Sequence, residues 1–404
     1  MGDKIIRKRT LAPNMRATAL LMGAMMFTVA LSGCIFGDNT PPPPPEEPAP
    51  PDGWFVTGPN GQILDLPMLP MDFTFSDVGQ DGAEPSIGIT SSGCMFFIAF
   101  EKVMRSCDHG GSWEIVDDIA SHPSTSDPYG WVDPITDRVF NVQMVGLITT
   151  WIAWSDDDGE SWIGNPHDSG PIPLNDHIKL ASGPWTDDGY GMLGQLNPTY
   201  ETAVYFCYNK GAGIFCYTSF DGGATFEVGG MIYGLATTNG GLHGAISTAP
   251  DGTVYVPPRV ETPTIIFSKD NGLTWSERTM GLDTGTPYPR KNSEVGTDSE
   301  SNAYHIWTGA DQGVYMSRST DSGNTWEENS IRISPSAVIS SVFPHIDAGD
   351  PGRIAITYLG SENASELNQS DIDGNPWDGN AHNAPANASY YPAAETQATL
   401  RKKK

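Results

Sequence analysis

From about residue 73 to about residue 360 one pattern recurs: two short apolar runs, a briefer third, and a polar turn closing on an aromatic side chain. The first instance reads Pro85-Ser86-Ile87-Gly88-Ile89, Cys94-Met95-Phe96-Phe97-Ile98-Ala99-Phe100 and Val103-Met104-Arg105. After the turn comes Trp113-Glu114-Ile115-Val116. Runs this short, bounded by Gly, Asp and Ser, predict strands rather than helices. Corresponding first strands are predicted to begin near Tyr129, Ile178, Gly244, Val295 and Ile346.

The turn is an octapeptide, Ser-x-Asp-x-Gly-x-(Ser/Thr)-(Trp/Phe). It starts at Ser106, Ser155, Ser219, Ser268 and Ser319, at intervals of 49, 64, 49 and 51 residues. A period near 50 marks stacked or radially arranged units. The residue types suit a hairpin: Asp and Ser oxygens accept loop amides, Gly supplies a positive φ, and the aromatic packs inward. The long interval places an insertion near Gly183–Thr202, rich in Gly, Tyr and Trp, either a lid over the central face or an ordinary surface loop.

A sixth unit has only its first two strands, in Phe343–Asp347 and Arg353–Tyr358, and no octapeptide. Closure of the last unit by Met71-Asp72-Phe73-Thr74-Phe75 is expected. Residues 361–404 are polar and rich in Asn and Ala, and they read as a disordered or truncated tail. Asn363, Asn368 and Asn387 lie in Asn-x-Ser sequons.

The N-terminus reads as an address. Lys4, Arg7, Lys8, Arg9 and Arg16 precede an apolar run from Ala17 to Ala30, which ends in Leu31-Ser32-Gly33-Cys34. This is the layout of a secretory signal over residues 1–33. Its ending resembles a lipobox, with Cys34 the lipidated residue; an uncleaved anchor is the alternative. Residues 34–53 contain Pro41–Pro45 and Pro48-Ala49-Pro50-Pro51, a polyproline II stalk. The rest, 54–360, is the repeat-built domain, expected outside the cell and anchored to the outer face of the membrane.

Composition narrows the function. The 404 residues include 45 Gly and 33 Pro, which excludes a helical bundle, and carry a net charge of −27. Removing the leader makes the remainder more acidic still. No basic stripe is left to neutralise phosphate, so nucleic acid is not an expected partner. Apart from Cys34, the cysteines are Cys94, Cys107, Cys207 and Cys216. Each of the first two and each of the last two fall on neighbouring strands of one unit, favouring Cys94–Cys107 and Cys207–Cys216 among the three connectivities. No paired Cys or His spacing suggests a metal site.

The five octapeptides resemble the Asp-boxes, or bacterial-neuraminidase repeats, of the sialidase-superfamily β-propellers. The resemblance implies an all-β, six-bladed propeller of four-stranded antiparallel blades, the last read as incomplete. It implies that the boxes join third and fourth strands at the periphery, a structural role. Function then belongs where the innermost strands begin. Register puts Glu84, Asp127, Asp176, His177, His243, Glu294 and His345 there, with Trp131, Asp133, Tyr288 and Tyr315 near. Glu294, Glu84 and Asp127 are the candidate catalytic carboxylates. His177, His243, His345, Arg259 and Arg290 are candidate substrate-binding groups. Alternatively the acids cap neighbouring backbones, or the mixed ring holds a cation such as Ca²⁺ or Zn²⁺; no cofactor is otherwise called for.

Sialidases hold an acidic sugar with three arginines, the first in a Phe/Tyr-Arg-Ile-Pro motif absent from this sequence. Arg105, Arg278, Arg318 and Arg332 lie beside boxes, and Arg138 and Arg353 in turns. The expectation is a monomeric exo-acting glycoside hydrolase on an extracellular glycan or glycoprotein, other than a true sialidase. The rival is a non-catalytic glycan- or protein-binding propeller.

Overall fold

The computed structural model describes residues 56–57, 63–64, 76–80, 85–118, 127–168, 175–186, 198–211, 213–226, 228–234, 242–260, 262–280, 293–309, 311, 313–327, 330–335, 340–361, 390–391 and 395–397. Cys34, the leader and the stalk lie outside them, as do Met71–Phe75, the sequons, Glu84, Tyr288 and Arg290. Every element among the described residues is a strand.

β1 (Val56–Thr57) and β2 (Ile63–Leu64) form a small hairpin. Six four-stranded sheets follow. The first is β3 (Ile87–Ile89), β4 (Met95–Ala99), β5 (Lys102–Ser106) and β6 (Glu114–Asp118). The second is β7 (Pro128–Val132), β8 (Val139–Val145), β9 (Thr149–Ser155) and β10 (Ile163–Asp168). The third is β11 (Asn175–Gly183), β12 (Ala203–Lys210), β13 (Gly213–Ser219) and β14 (Val228–Tyr233). The fourth is β15 (Ser247–Thr248), β16 (Val254–Val256), β17 (Thr264–Ser268) and β18 (Ser276–Thr279). The fifth is β19 (Ser293–Thr297), β20 (Ala303–Thr308), β21 (Val314–Ser319) and β22 (Ile331–Arg332). The sixth is β23 (Ser340–Ala348), β24 (Arg353–Ser361), β25 (Tyr390–Tyr391) and β26 (Glu395–Gln397).

The first five sheets are antiparallel meanders, and the first strands β3, β7, β11, β15, β19 and β23 touch in succession. Successive sheets pack face to face through separate apolar layers. Phe96 and Ile98 of the first meet Val132 and Val139 of the second. Phe140, Val142 and Ile152 of the second meet Ile178, Val204 and Phe206 of the third. Tyr304, Ile306 and Met316 of the fifth meet Ile346, Ile354 and Ile356 of the sixth. A strand covered on both faces needs no polar alternation, which is why β4, β16 and β20 are apolar runs buried throughout. The outer strand β18 is exposed throughout. Sheets radiating from a ring of inner strands make a β-propeller.

The octapeptides build five near-identical turns between third and fourth strands. In each, the Asp Oδ1 accepts the first Ser hydroxyl and the backbone N–H of the second Ser or Thr, while Oδ2 accepts that residue's hydroxyl. The glycine N–H donates to the first Ser Oγ. The glycine and the residue before it both have positive φ, as at Asn271 (59°) and Gly272 (83°). These bonds hold the Asp108 carboxyl down at about 2, chiefly through Ser112.

Both expected disulfides form, Cys94–Cys107 and Cys207–Cys216. The second joins residues directly opposite in the β12–β13 ladder. Their sequence separations of 13 and 9 residues correspond to about 3 kcal/mol each of denatured-state chain entropy. The double variant Cys207→Ala/Cys216→Ala is therefore expected to unfold at lower urea by about that amount. Equal midpoints for variant and wild type would contradict this.

Two expectations change. Beyond residue 360, β25 and β26 both pair with β24, so the segment read as a tail supplies the sixth sheet's outer pairing. Backbone hydrogen bonds, which need no apolar signature, make that addition. The insertion near Gly183–Thr202 connects β11 to β12, and strand direction puts that connection at the same end as the octapeptide turns. Its described ends, 183–186 and 198–202, thus lie away from the inner-strand starts, on the side an ordinary surface loop would take. Trp185 stacks on Phe220 at 5.1 Å, Thr186 N–H donates to Asn271, and Arg138 lies 4.1 Å over the Tyr200 ring.

Candidate functional site

Two inner strands bulge where they enter the ring. In β11 the register shifts between Asp176 and Lys179 around His177, whose φ is 54°. In β23 it shifts between Val342 and His345 around Phe343, whose φ is 53°. A bulge spends one extra residue and re-aims the side chains beside it. The outcome is a mixed cluster at the inner-strand starts.

Asp127, just before β7, accepts the His177 N–H at 2.9 Å through Oδ2. The His177 and His243 rings meet edge to face at 5.7 Å. His243 bridges to Pro258, and the next residue, Arg259, donates its N–H to the Leu242 carbonyl. Glu294, on β19, accepts the Ala245 N–H at 2.7 Å through Oε2. His345 acts electrostatically on both Glu294 and Asp347. Lys179 places its ammonium 4.8 Å from the Tyr129 ring centre.

Burial dominates the acid–base behaviour. It raises the Glu294 carboxyl against the opposing pull of His345, the Ala245 amide, Lys179 and Arg259. Burial, then Asp127, raises Asp176. Burial also raises Asp347, opposed by His345. The imidazoles move the other way: burial and then Lys179 lower His177, and burial takes His243 down to about 4. Burial thus raises the proton affinity of Glu294, Asp176 and Asp347 and lowers that of His177 and His243, which favours the uncharged form of each.

Of the expected site residues, Asp127, Asp176, His177, His243, Arg259, Glu294 and His345 come together here. Asp133 does not: it lies past the far end of β7, where its carboxylate takes the Ile135 and Thr136 amides and the Thr202 hydroxyl. Trp131 faces the third sheet and donates to Ser182 Oγ. Tyr315 sits on the third strand of its sheet, bonded to Asp311 and stacked on Trp307. Each follows from strand direction or distance from the inner strand. Lys179 and Asp347 are members that sequence reasoning missed. Their signal was a charge inside an otherwise apolar inner strand, two residues beyond a candidate histidine. Among the described residues no group of three or more His, Cys, Asp or Glu is arranged to hold a metal ion.

Buried neutral histidines make stability pH-dependent. His305, enclosed by Trp307 and Trp326, is pushed down to about 3 by burial. The unfolded chain, with histidine near 6.5, takes up a proton that the folded chain refuses between that value and about 3. The His305 contribution to stability is thus full above pH 6.5 and falls on acidification. The unfolding free energy in urea is expected to decline from pH 6.5 to 4. In His305→Phe the slope should be shallower by about one proton, ~1.4 kcal/mol per pH unit; identical slopes would contradict the assignment.

No protein-family model matches the chain, and no curated protein matches it. Among solved structures it is similar to the NanB sialidase of Streptococcus pneumoniae, at 10% identity and a TM-score of 0.46, covering 74% of this chain and 69% of that one. It is also similar to an α-L-arabinanase of Penicillium chrysogenum, at 12% identity and a TM-score of 0.42, covering 78% and 96%. A third is the Aleuria aurantia lectin, at 12% identity and a TM-score of 0.43, covering 69% and 88%.

Proposed function

We propose that the chain is a six-bladed, Asp-box propeller displayed through a lipidated Cys34 and its proline stalk, and that the inner-strand starts form a glycoside hydrolase site. The observation that carries this reading is Glu294: a buried carboxyl with a raised pKa, one oxygen fixed by the Ala245 amide, facing His345, Lys179 and Arg259. A carboxyl whose pKa is raised by burial keeps its proton to higher pH than an ordinary carboxylate and can protonate a departing glycosidic oxygen. Asp127, anchored through one oxygen, would serve as the partnering carboxylate, and Glu84 is the third candidate. His177, His243, His345, Arg259 and Arg290 would position the sugar. A screen of fluorogenic glycosides tests the reading: release that disappears in Glu294→Gln supports it, and release unaffected by that change removes Glu294.

A specific observation also favours a second reading. Asp127 and Glu294 each spend an oxygen on the backbone of a neighbouring sheet, as structural caps do. In that case the same end binds an extracellular glycan without cleaving it. No release from any glycoside, together with retention on a glycan array, would select this alternative. Lipidation is tested by labelling with a palmitate analogue, expected for the wild type and lost in Cys34→Ala.

A further inference from the structure

Taking the inner-strand starts as the sugar site, as proposed above, we infer that they receive an uncharged, hydroxyl-rich ring and reject a carboxylate-bearing one. The charge arrangement favours this. Leaving out Glu294, which carries the transferable proton, three acidic side chains, Asp127, Asp176 and Asp347, share the cluster with two permanent cations, Lys179 and Arg259, among the described residues. The field of Lys179 already falls on Asp176 and Glu294, and that of Arg259 on Glu294. Lys179 is further occupied by the Tyr129 ring. Among the described peripheral arginines, Arg105 pairs with Glu114 and Glu160, Arg138 with Asp156, Arg318 with Glu327 and Arg332 with Asp311, while Arg278 donates to the Asn324 and Glu277 carbonyls. Among the described residues, an anionic ligand therefore meets no surplus of positive charge.

Hydrogen-bond polarity points the same way. The Gly244 carbonyl can only accept, so the 2.7 Å contact from His243 Nδ1 fixes the proton on that nitrogen. With the ring neutral, Nε2 carries a lone pair; it is fully buried and has no hydrogen-bond partner among the described residues. Carboxylate oxygens and an imidazole lone pair are acceptors. A sugar hydroxyl can donate to them, whereas a ligand carboxylate has no proton to give.

The test compares the full chain on matched fluorogenic glycosides, one set of neutral pentosides and hexosides and one set of uronides and sialosides. The best neutral substrate is expected to exceed the best acidic one in kcat/KM by about a hundredfold. Asp176→Asn, which removes one negative charge, is expected to narrow that ratio by about tenfold. A variant that merely loosened the fold would slow both sets alike. Acidic substrates preferred by the wild type, or a ratio unmoved in Asp176→Asn, would overturn the inference. If nothing is cleaved, the hydrolase reading fails, and a glycan array decides the charge preference. Retention of neutral glycans alone upholds the inference; retention of acidic glycans, or of none, overturns it.

Discussion

Glu294→Gln is expected to lower kcat on a cleaved glycoside by about a thousandfold with little change in KM. Gln keeps the shape and can still accept the Ala245 N–H, so the anchoring bond survives while the transferable proton is lost. The pH profile makes the assignment specific. A general acid works while protonated, so wild-type kcat/KM should fall as pH rises through the raised Glu294 pKa, and the residual activity of Glu294→Gln should lack that alkaline limb. In the variant, stability should not follow activity downward. Burial raises the folded-state pKa, so ionising Glu294 costs stability as pH rises through it. Gln never ionises, so the variant should match the wild type at pH 4 and equal or exceed its Tm at pH 8. A variant that loses activity and Tm together would assign Glu294 to structure rather than chemistry.

Gly244→Ala should carry the largest stability penalty of any single methyl addition near the site. A Cβ there would overlap the backbone carbonyl oxygen of Ser293 and come to 3.0 Å of the Glu294 carboxyl carbon. A carbonyl in a strand cannot rotate aside, so the fourth and fifth sheets must part. The expected loss is about 3 kcal/mol, with kcat/KM down by about a hundredfold because Glu294 is displaced. Gly230→Ala is the control: nothing lies within 4 Å of its Cβ position. It should leave both quantities near wild type. Equal behaviour of the two variants in urea unfolding would show that the sheets approach less closely at Gly244.

The repeat was legible because its chemistry is local. A Ser, an Asp and a Gly at fixed spacing make the same turn wherever they occur, and five copies in step set the strand count between them. The inner-strand starts were legible by register, which brought Asp127, His177, His243, Glu294 and His345 to one end. Lys179 and Asp347 were not, because two bulges decide which side chains re-aim inward and no octapeptide marks a bulge. The side taken by the insertion followed from alternating strand direction and could have been deduced. The pairing of β25 and β26 with β24 could not, since their segment has neither apolar period nor turn motif and joins through backbone hydrogen bonds.

A crystal structure of the chain soaked with its best-retained sugar tests the central claim most directly. The predicted result is a ring among the inner-strand starts, with hydroxyls about 2.6–3.2 Å from Glu294 and Asp127. A ring seated instead at the opposite end, beside the octapeptide turns and the β11–β12 insertion, would contradict it.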